Sequence, residues 1–218
     1  MAVPETPESY NPLDESNLAR QVKDAIEREP LLPLPPARFY GSGLYAIYYD
    51  GPFDVYAPIR GTNSPIYVGK AAARSTRIGA VAANETRLWD RIRDHAKSIE
   101  QAENLSLEDF TCRYLVTSDV WVVLGEQGLL AEYGAAWNVT LDGFGNHDPG
   151  KGRYEQAVSA WDTLHPGRAW VTKLTQPNLQ SPQQIADVVR AALVARAAGA
   201  PVPEHILSED PLEDRTEA

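Results

Sequence analysis

The chain has 218 residues and a formal net charge of −10, with 43% hydrophobic and 9% aromatic residues. This composition can bury a core, which excludes a wholly disordered chain, and the single cysteine, Cys112, excludes an internal disulfide framework or a zinc site built on several thiolates. No apolar stretch predicts a membrane span and the acidic, proline-rich beginning does not resemble a signal peptide, so we expect a cytoplasmic protein with no membrane partner.

The negative charge is concentrated at the two ends. Residues 1–38 carry 4 basic and 7 acidic side chains, and residues 201–218 carry 1 and 6, whereas residues 39–200 carry 15 and 17. Residues 60–97 alone carry eight basic and three acidic side chains. The overall charge therefore does not exclude an anionic partner such as nucleic acid, although a solvated charged face would give the same pattern.

Hydrophobic spacing and breaker residues predict the elements of the first half. They indicate a helix over residues 17–29 that Pro30 ends, and an extended proline-rich linker at 31–36. Strands are expected at 43–49, 66–69 and 110–116, the last containing Cys112, with a loop at 71–83 and a helix at 86–101.

The second half is predicted to be mainly helical. A helix is expected over 119–133, a glycine-rich loop over 141–153 and short helices over 154–164 and 168–174. Ser181, Pro182 and Gln184 have the spacing of a capped helix start, and Gly199 ends that helix. The order of elements predicts an α+β fold with a small sheet.

Residues 145–151 (GNHDPGK) match a phosphate-binding loop as far as its lysine. The pattern then requires Ser or Thr, where this chain has Gly152, and Pro149 removes a backbone N–H donor. We therefore expect no nucleotide cofactor. Two interpretations of this segment remain: a loop that contacts nucleic acid and a purely structural loop.

Several polar residues suggest catalysis, each with a plainer alternative. Arg91 and His95 share one face of a helix, where a guanidinium can bind phosphate and an imidazole can exchange a proton, but an exposed helix surface also contains such residues. Glu126 lies in an otherwise apolar helix. If its carboxylate is buried it needs a neighbouring cation, whereas on an exposed turn of the helix it needs none. Tyr45 and Tyr67, each in a β-prone tripeptide with glycine, are individually uninformative.

Taken in chain order, these features resemble the GIY-YIG nuclease superfamily. The matching positions are Tyr45 in Gly-Leu-Tyr, Tyr67 in Tyr-Val-Gly, Arg91 and His95 in one helix, Glu126 in the next, and Asn138. Leu44 and Val68 replace isoleucines of the pattern, and a longer spacer between the tyrosines implies an insertion at 51–64.

A wider resemblance, over residues 34–170, points to type II restriction endonucleases of this superfamily, in particular those that cut CCGCGG. It rests on Leu34-Pro35-Pro36, Arg38-Phe39, the segment PIYVGKA at 65–71, Trp137-Asn138, DGFGNH at 142–147 and His165-Pro166-Gly167-Arg168. The resemblance implies a small core with a mainly antiparallel sheet flanked by helices at 39–140. An N-terminal helix and linker at 1–38, a DNA-contacting loop and helical extension at 141–200 and an acidic tail at 201–218 would complete the chain.

The resemblance also implies roles in Mg²⁺-dependent phosphodiester hydrolysis. Glu126 would hold the single Mg²⁺ of each active site, for which Mn²⁺ would substitute, and Tyr45 would act as general base with His95 tuning or relaying its proton. Because a free tyrosine has a pKa near 10, a cationic neighbour would have to lower it. Arg91 would stabilise charge on the phosphate, and Tyr67 and Asn138 would orient the phosphate or a water.

A palindromic target in double-stranded DNA implies a homodimer, because two-fold symmetry in the DNA is matched by two-fold symmetry in the protein. Lys70 would contact phosphate, and guanines would be read by Arg or Lys side chains in the major groove. The candidates are Arg60, Arg74, Arg77, Lys151, Arg153 and Arg168. Two alternatives remain: a GIY-YIG nuclease of repair or mobile-element type, and a sequence-specific DNA-binding protein that does not cut.

Overall fold

A four-stranded antiparallel sheet forms the centre of the computed structural model, which describes residues 15–72 and 85–200. In spatial order the strands are β1 (Leu32–Pro33), β4 (Phe110–Val116), β2 (Gly43–Tyr49) and β3 (Tyr67–Ala71). The sequence GLYAIYY of β2 is β-prone and buried along its whole length, as expected of a central strand. The predicted α+β fold is confirmed.

The proline-rich segment was predicted as linker only, and that prediction is wrong at two residues. Leu32 pairs with Cys112 and Pro33 with Thr111, which adds a short edge strand to the sheet. Proline is tolerated there because an edge strand leaves one side of its backbone without ladder hydrogen bonds.

Helices cover both faces of the sheet. The helices are α1 (Glu15–Arg28), α2 (Arg87–Glu100), α3 (Asp119–Tyr133), α4 (Ala136–Val139), α5 (Ala160–Leu164) and α6 (Pro182–Ala197). Alternate residues of β2 point to opposite faces: Tyr45, Ile47 and Tyr49 enter one core with α2 and α6, and Leu44, Ala46 and Tyr48 enter another with α1 and α3. Within the described residues, no helix has the length and apolar character needed to cross a bilayer.

The C-terminal half differs from its prediction in one segment. Residues 154–159 are not helical, because Val158 N–H donates to Gln176 O at 2.9 Å and Ala157 bridges to Gln176. The short helix predicted at 168–174 is a 3₁₀ helix, Ala169–Lys173, and a single 3₁₀ turn forms at Lys151–Arg153 within the predicted loop. The capping box of α6 is confirmed, with Ser181 N–H donating to Gln184 Oε1 at 2.8 Å. Most of the loop predicted at 71–83 lies outside the described residues.

The insertion at 51–64 takes part in the core. It contains a 3₁₀ helix, Asp54–Ile59, whose Val55, Tyr56 and Ile59 are buried against α6 and the sheet. A further single 3₁₀ turn, Leu107–Asp109, leads into β4. The insertion thus joins the C-terminal helix to the same hydrophobic core as β2.

A buried chain of hydrogen bonds fastens the insertion to the rest of the fold. Trp137 Nε1 donates to Tyr56 Oη at 2.8 Å, and Tyr56 Oη contacts His165 Nε2 at 2.5 Å. His165 Nδ1 is 2.9 Å from Asn104 Oδ1, an acceptor, so Nδ1 carries the imidazole proton and Nε2 accepts from Tyr56. Burial, with a smaller effect of Arg168, lowers the pKa of His165 to about 3.

We predict that this histidine makes the fold sensitive to acid. Folded His165 stays neutral while the unfolded chain takes up a proton below pH 6.5, so stability is fully present above pH 6.5 and is lost as the pH falls towards 3. From pH 7.5 to 5 the loss from His165 alone should be about 2 kcal/mol. Urea unfolding of the wild type and His165→Gln at several pH values checks this. The same dependence of the free energy of unfolding on pH in both proteins would contradict the prediction.

Candidate active site

Two tyrosines and a histidine form a triangle of rings on the α2 face of the sheet. In the β2–β3 pairing Tyr45 lies opposite Gly69 and Ile47 opposite Tyr67, so both tyrosines project from the same face. Ring centroids are 6.0 Å apart for Tyr45–Tyr67, 5.7 Å for Tyr45–His95 and 4.9 Å for Tyr67–His95. The structure thus brings together three residues predicted to act in catalysis.

The glycines of the two tripeptides make room for this arrangement. The ring and hydroxyl of Tyr45 lie directly over Gly69, where a Cβ would collide with them. Gly43 has φ +154° and lies so close to Leu115 O of β4 that a Cβ would also collide. Gly43 is therefore required by the close approach of strands β2 and β4, and Gly69 is required by the close approach of the Tyr45 side chain.

Helix α2 supplies Arg91 and His95 to the triangle. Its apolar residues Leu88, Ile92 and Ile99 are buried against the sheet, which turns the Arg91–His95 face towards the tyrosines. His95 is only 2% exposed, and its Nε2 has no hydrogen-bond partner within the described residues. Burial and the charges of Arg91 and nearby groups hold the pKa of His95 well below 6.5, so the ring is neutral at physiological pH.

Tyr45 is fully buried, and its hydroxyl likewise makes no hydrogen bond of good geometry in the described part of the chain. Burial and the neighbouring Tyr67 raise the pKa of Tyr45 well above 10, and Arg91 opposes this rise. Burial also raises the pKa of Tyr67, which Arg91 and Tyr45 lower. The free chain therefore holds Tyr45 protonated, beside Arg91, a cation that favours its ionised form.

Glu126 reaches the site from the opposite face of the sheet. It lies on α3, where Gly125 packs so closely on Leu44, next to Tyr45, that a side chain at 125 would collide. The Glu126 carboxylate forms a 3.0 Å ion pair with Lys70, at the end of β3, and both side chains are partly exposed. The negative charge of Glu126 also acts on Tyr67 across the strand edge. Glu126 is thus next to the triangle without being part of it.

Asn138 is bound to the backbone of the edge strand β3. Its Oδ1 accepts from Val68 N–H at 2.8 Å and its Nδ2 donates to Val68 O at 2.9 Å. With Trp137 N–H donating to Ile66 O at 2.9 Å, α4 closes the outer edge of β3. The two hydrogen bonds give Asn138 a role in holding β3, and its expected contact with phosphate or water stays a prediction.

Comparison with known families decides what this geometry represents. Residues 37–193 match the family model described as the Eco29kI GIY-YIG domain. This is more than half of the chain. The chain belongs to the Eco29kI GIY-YIG family. This is a restriction endonuclease family, so the chain carries a nuclease domain of restriction type that binds DNA. A search of curated proteins found no match.

Arg168, expected to contact DNA, is instead buried in this GIY-YIG domain. Its guanidinium is bidentate to Asp162 at 2.6 and 2.7 Å and donates to the carbonyls of Gly143, Phe144 and Asn146 at 2.8–3.1 Å. A side chain with 2% exposure and all five N–H groups occupied cannot read a base, so the prediction for Arg168 is wrong.

The remaining cations predicted to bind DNA are distributed over the surface. Arg60, Lys151 and Arg153 are exposed, and Arg60 acts on Tyr49 at the end of β2 remote from Lys70. Arg74 and Arg77 lie outside the described residues. A cleft of about 590 Å³ opens from Lys70 and Arg91 along the first turns of α2. Its other charged lining residues are Glu85, Arg87, Asp90 and Asp94.

Sequence reasoning missed one neighbour of the site. His147 Nε2 lies 3.1 Å from Arg91 Nη1. Phe144, from the same loop, stacks on His95 with ring centroids 4.6 Å apart and an interplanar angle of 18°. The signal was available in DGFGNH, but a contact across 56 residues of sequence does not follow from spacing.

We predict that Gly69→Ala damages the site directly. The added methyl group collides with the Tyr45 ring, so we expect destabilisation of about 1–3 kcal/mol and a large loss of cleavage. Gly152→Ala is the matched control, because Gly152 has open space around it. Chemical unfolding of both variants measures the difference. Equal stability of the two variants would refute the close approach over Gly69.

Proposed function

We propose that the chain is a type II restriction endonuclease that hydrolyses phosphodiester bonds of double-stranded DNA at a G·C-rich palindrome, CCGCGG by resemblance. The observation that carries this proposal is the meeting of Tyr45, Tyr67, Arg91 and His95 beside Glu126 at one edge of the sheet. Two of these residues, Tyr45 and His95, keep buried polar atoms without partners. Buried polar groups are normally satisfied, so a substrate group is a fitting partner for these two atoms, although five residues of the described chain outside the triangle also keep such an atom.

In the proposed reaction an activated water attacks phosphorus and the 3′-oxygen leaves. Tyr45, once ionised, accepts the proton of the attacking water at its phenolic oxygen. Arg91 favours that ionised form and contributes positive charge to the phosphate. Neutral His95, with a free Nε2 at the next corner of the triangle, is placed to take up or return the tyrosine proton.

The residues present fit a hard divalent cation held by one carboxylate. In the described residues, no group of three His, Cys, Asp or Glu side chains converges to cage a metal. Glu126 alone would hold Mg²⁺ or Mn²⁺, which keeps several waters and supplies charge for the phosphate and the leaving oxygen when bound. Lys70, 3.0 Å from the carboxylate, shows that Glu126 already faces a positive charge.

Recognition of a palindrome by this chain requires a homodimer in the proposal. Because Arg168 is buried, it is no longer a candidate for reading guanine. The remaining candidates are Arg60, Arg74, Arg77, Lys151 and Arg153. Lys70 and Arg91, at the mouth of the 590 Å³ cleft, are the candidates for phosphate contacts. The repair-type nuclease remains the second candidate. The match to a restriction endonuclease family disfavours the non-cutting DNA-binding protein.

A plasmid assay tests the proposal. With Mg²⁺, the protein should give discrete fragments from a plasmid that contains CCGCGG and leave intact one that lacks it. Glu126→Gln should not cut but should bind the same duplex in a gel shift, because it removes the metal ligand and keeps the shape of the side chain. Cutting of both plasmids would refute the specificity. Loss of both binding and cutting in a folded Glu126→Gln protein would make Glu126 structural.

We also predict that Tyr45→Phe separates activity from stability. The hydroxyl makes no hydrogen bond of good geometry, so its removal should change the stability of the fold by less than about 1 kcal/mol, while single-turnover cleavage falls by at least about 100-fold. Because the pKa of Tyr45 is raised, the wild-type rate should increase with pH above neutrality and the variant should lose this dependence.

Tyr133→Phe is the control for that experiment. Tyr133 donates to Glu27 at 2.8 Å on the opposite face of the sheet. Removal of the Tyr133 hydroxyl should therefore lower the free energy of unfolding by about 1 kcal/mol and leave the cleavage rate unchanged. If Tyr45→Phe cleaves like the wild type, Tyr45 is not the base.

A further inference from the structure

The contact between Arg91 and His147 fixes the state of the imidazole. A guanidinium has only donors, so the 3.1 Å contact from Arg91 Nη1 requires a lone pair on His147 Nε2. The ring is therefore neutral and carries its proton on Nδ1. A protonated ring could not accept this hydrogen bond and would place a cation against Arg91.

The loop that carries His147 is held rigidly. Four carbonyls directly precede His147 along the loop. Arg168 donates to three of them, those of Gly143, Phe144 and Asn146. Gly143 has φ +104° and lies against Ser159, with no space for a Cβ. His147 is thus presented to Arg91 by a segment with a buried ionic anchor.

The loop also forms a wall of the active site. A Cβ on Gly145 would lie 3.4 Å from Arg91 Nη2, 3.8 Å from Tyr67 Oη and 3.9 Å from His95 Cε1. His147 therefore holds one nitrogen of Arg91 while the loop backbone passes beside the other. The guanidinium is thus flanked by His147 and by the backbone of the same loop.

We infer that His147 is a positioning residue that acts through Arg91, keeping the guanidinium oriented towards Tyr45 and the scissile phosphate. This inference rests on the proposed nuclease function. His147 touches neither tyrosine in the described structure, so it is distinct from the groups that take part in the chemistry.

The surroundings of His147 favour the neutral form it needs. Burial and the charge of Arg91 lower its pKa, Asp94 on α2 opposes them, and Arg168 lowers the pKa further. Asp148, the next residue, is engaged by Lys173 at 2.7 Å. The hold on Arg91 is consequently present at neutral pH and weakens as the solution becomes acidic.

A spectroscopic experiment tests the contact independently of cleavage. In full-length protein with ¹⁵N-labelled histidine, His147 should show the Nδ1–H tautomer, and Arg91→Met should raise the pH at which it titrates. His165 is the internal control, because the groups that shift its pKa do not include Arg91. The Nε2–H tautomer in the wild type, or an unchanged His147 titration in Arg91→Met, would overturn the inference.

Kinetics test the consequence. His147→Phe, which keeps a ring but has no acceptor, should slow single-turnover cleavage by about 10–100-fold with DNA binding unchanged. His147→Gln, whose Oε1 replaces Nε2 as acceptor, should stay within about threefold of the wild type. Its rate relative to the wild type should rise as the pH falls below 6.5, because glutamine does not titrate. The exposed Gln156→Ala serves as a neutral control on the same segment.

The outcomes separate the two proposals. Wild-type cleavage by His147→Phe, or a His147→Gln protein as slow as His147→Phe, would refute the positioning role. Failure of the wild type to cut any DNA would refute the proposed function, whereas the tautomer and titration of His147 would still decide whether it holds Arg91.

Discussion

The buried Arg168 guanidinium is the interaction on which the architecture of the site depends. Two of its N–H groups bind Asp162 and the other three bind backbone carbonyls of one loop, so no donor is left without an acceptor. Removing one partner of such a pair leaves an uncompensated buried charge, a loss of typically 3–5 kcal/mol. Because the loop stacks Phe144 on His95 and brings His147 to Arg91, this C-terminal anchor determines the environment of groups on α2.

A second constraint is that the site lies across the edge of the sheet. Strand β3 presents Tyr67 to one face and Lys70 to the other, and Asn138 occupies the outer edge with both ends of its carboxamide. An edge strand closed by a side chain cannot recruit a further strand, yet its end stays open to the cleft beside Lys70 and Arg91. Groups from α2 and α3, on opposite faces, therefore lie near the same end of β3.

The sequence predicted local features well and long-range partners poorly. Strand β2, helix α3 and the capping box of α6 follow from β-propensity, apolar composition and cap chemistry, which are local. The tyrosine, arginine, histidine and glutamate positions came from a resemblance, and the structure brings them together. The errors concern partners that lie elsewhere in the sequence. Arg168 resembled any other cation in the sequence, and only the structure shows its contacts with Asp162 and three backbone carbonyls. The pairing of Leu32 with Cys112 has no local signal either.

The residues that support the site differ from Tyr45 and His95 in how their polar atoms are satisfied. The supporting residues His165, Arg168 and Asn138 have their polar atoms matched to protein partners. Tyr45 Oη and His95 Nε2 have none in the described chain, although burial makes an unpaired polar atom costly. A fold retains that cost only where the surrounding structure compensates for it, as the Arg168 anchor and the buried strand β2 do here. The two unpaired atoms belong to neighbouring residues of one triangle, whose ring centroids are 5.7 Å apart.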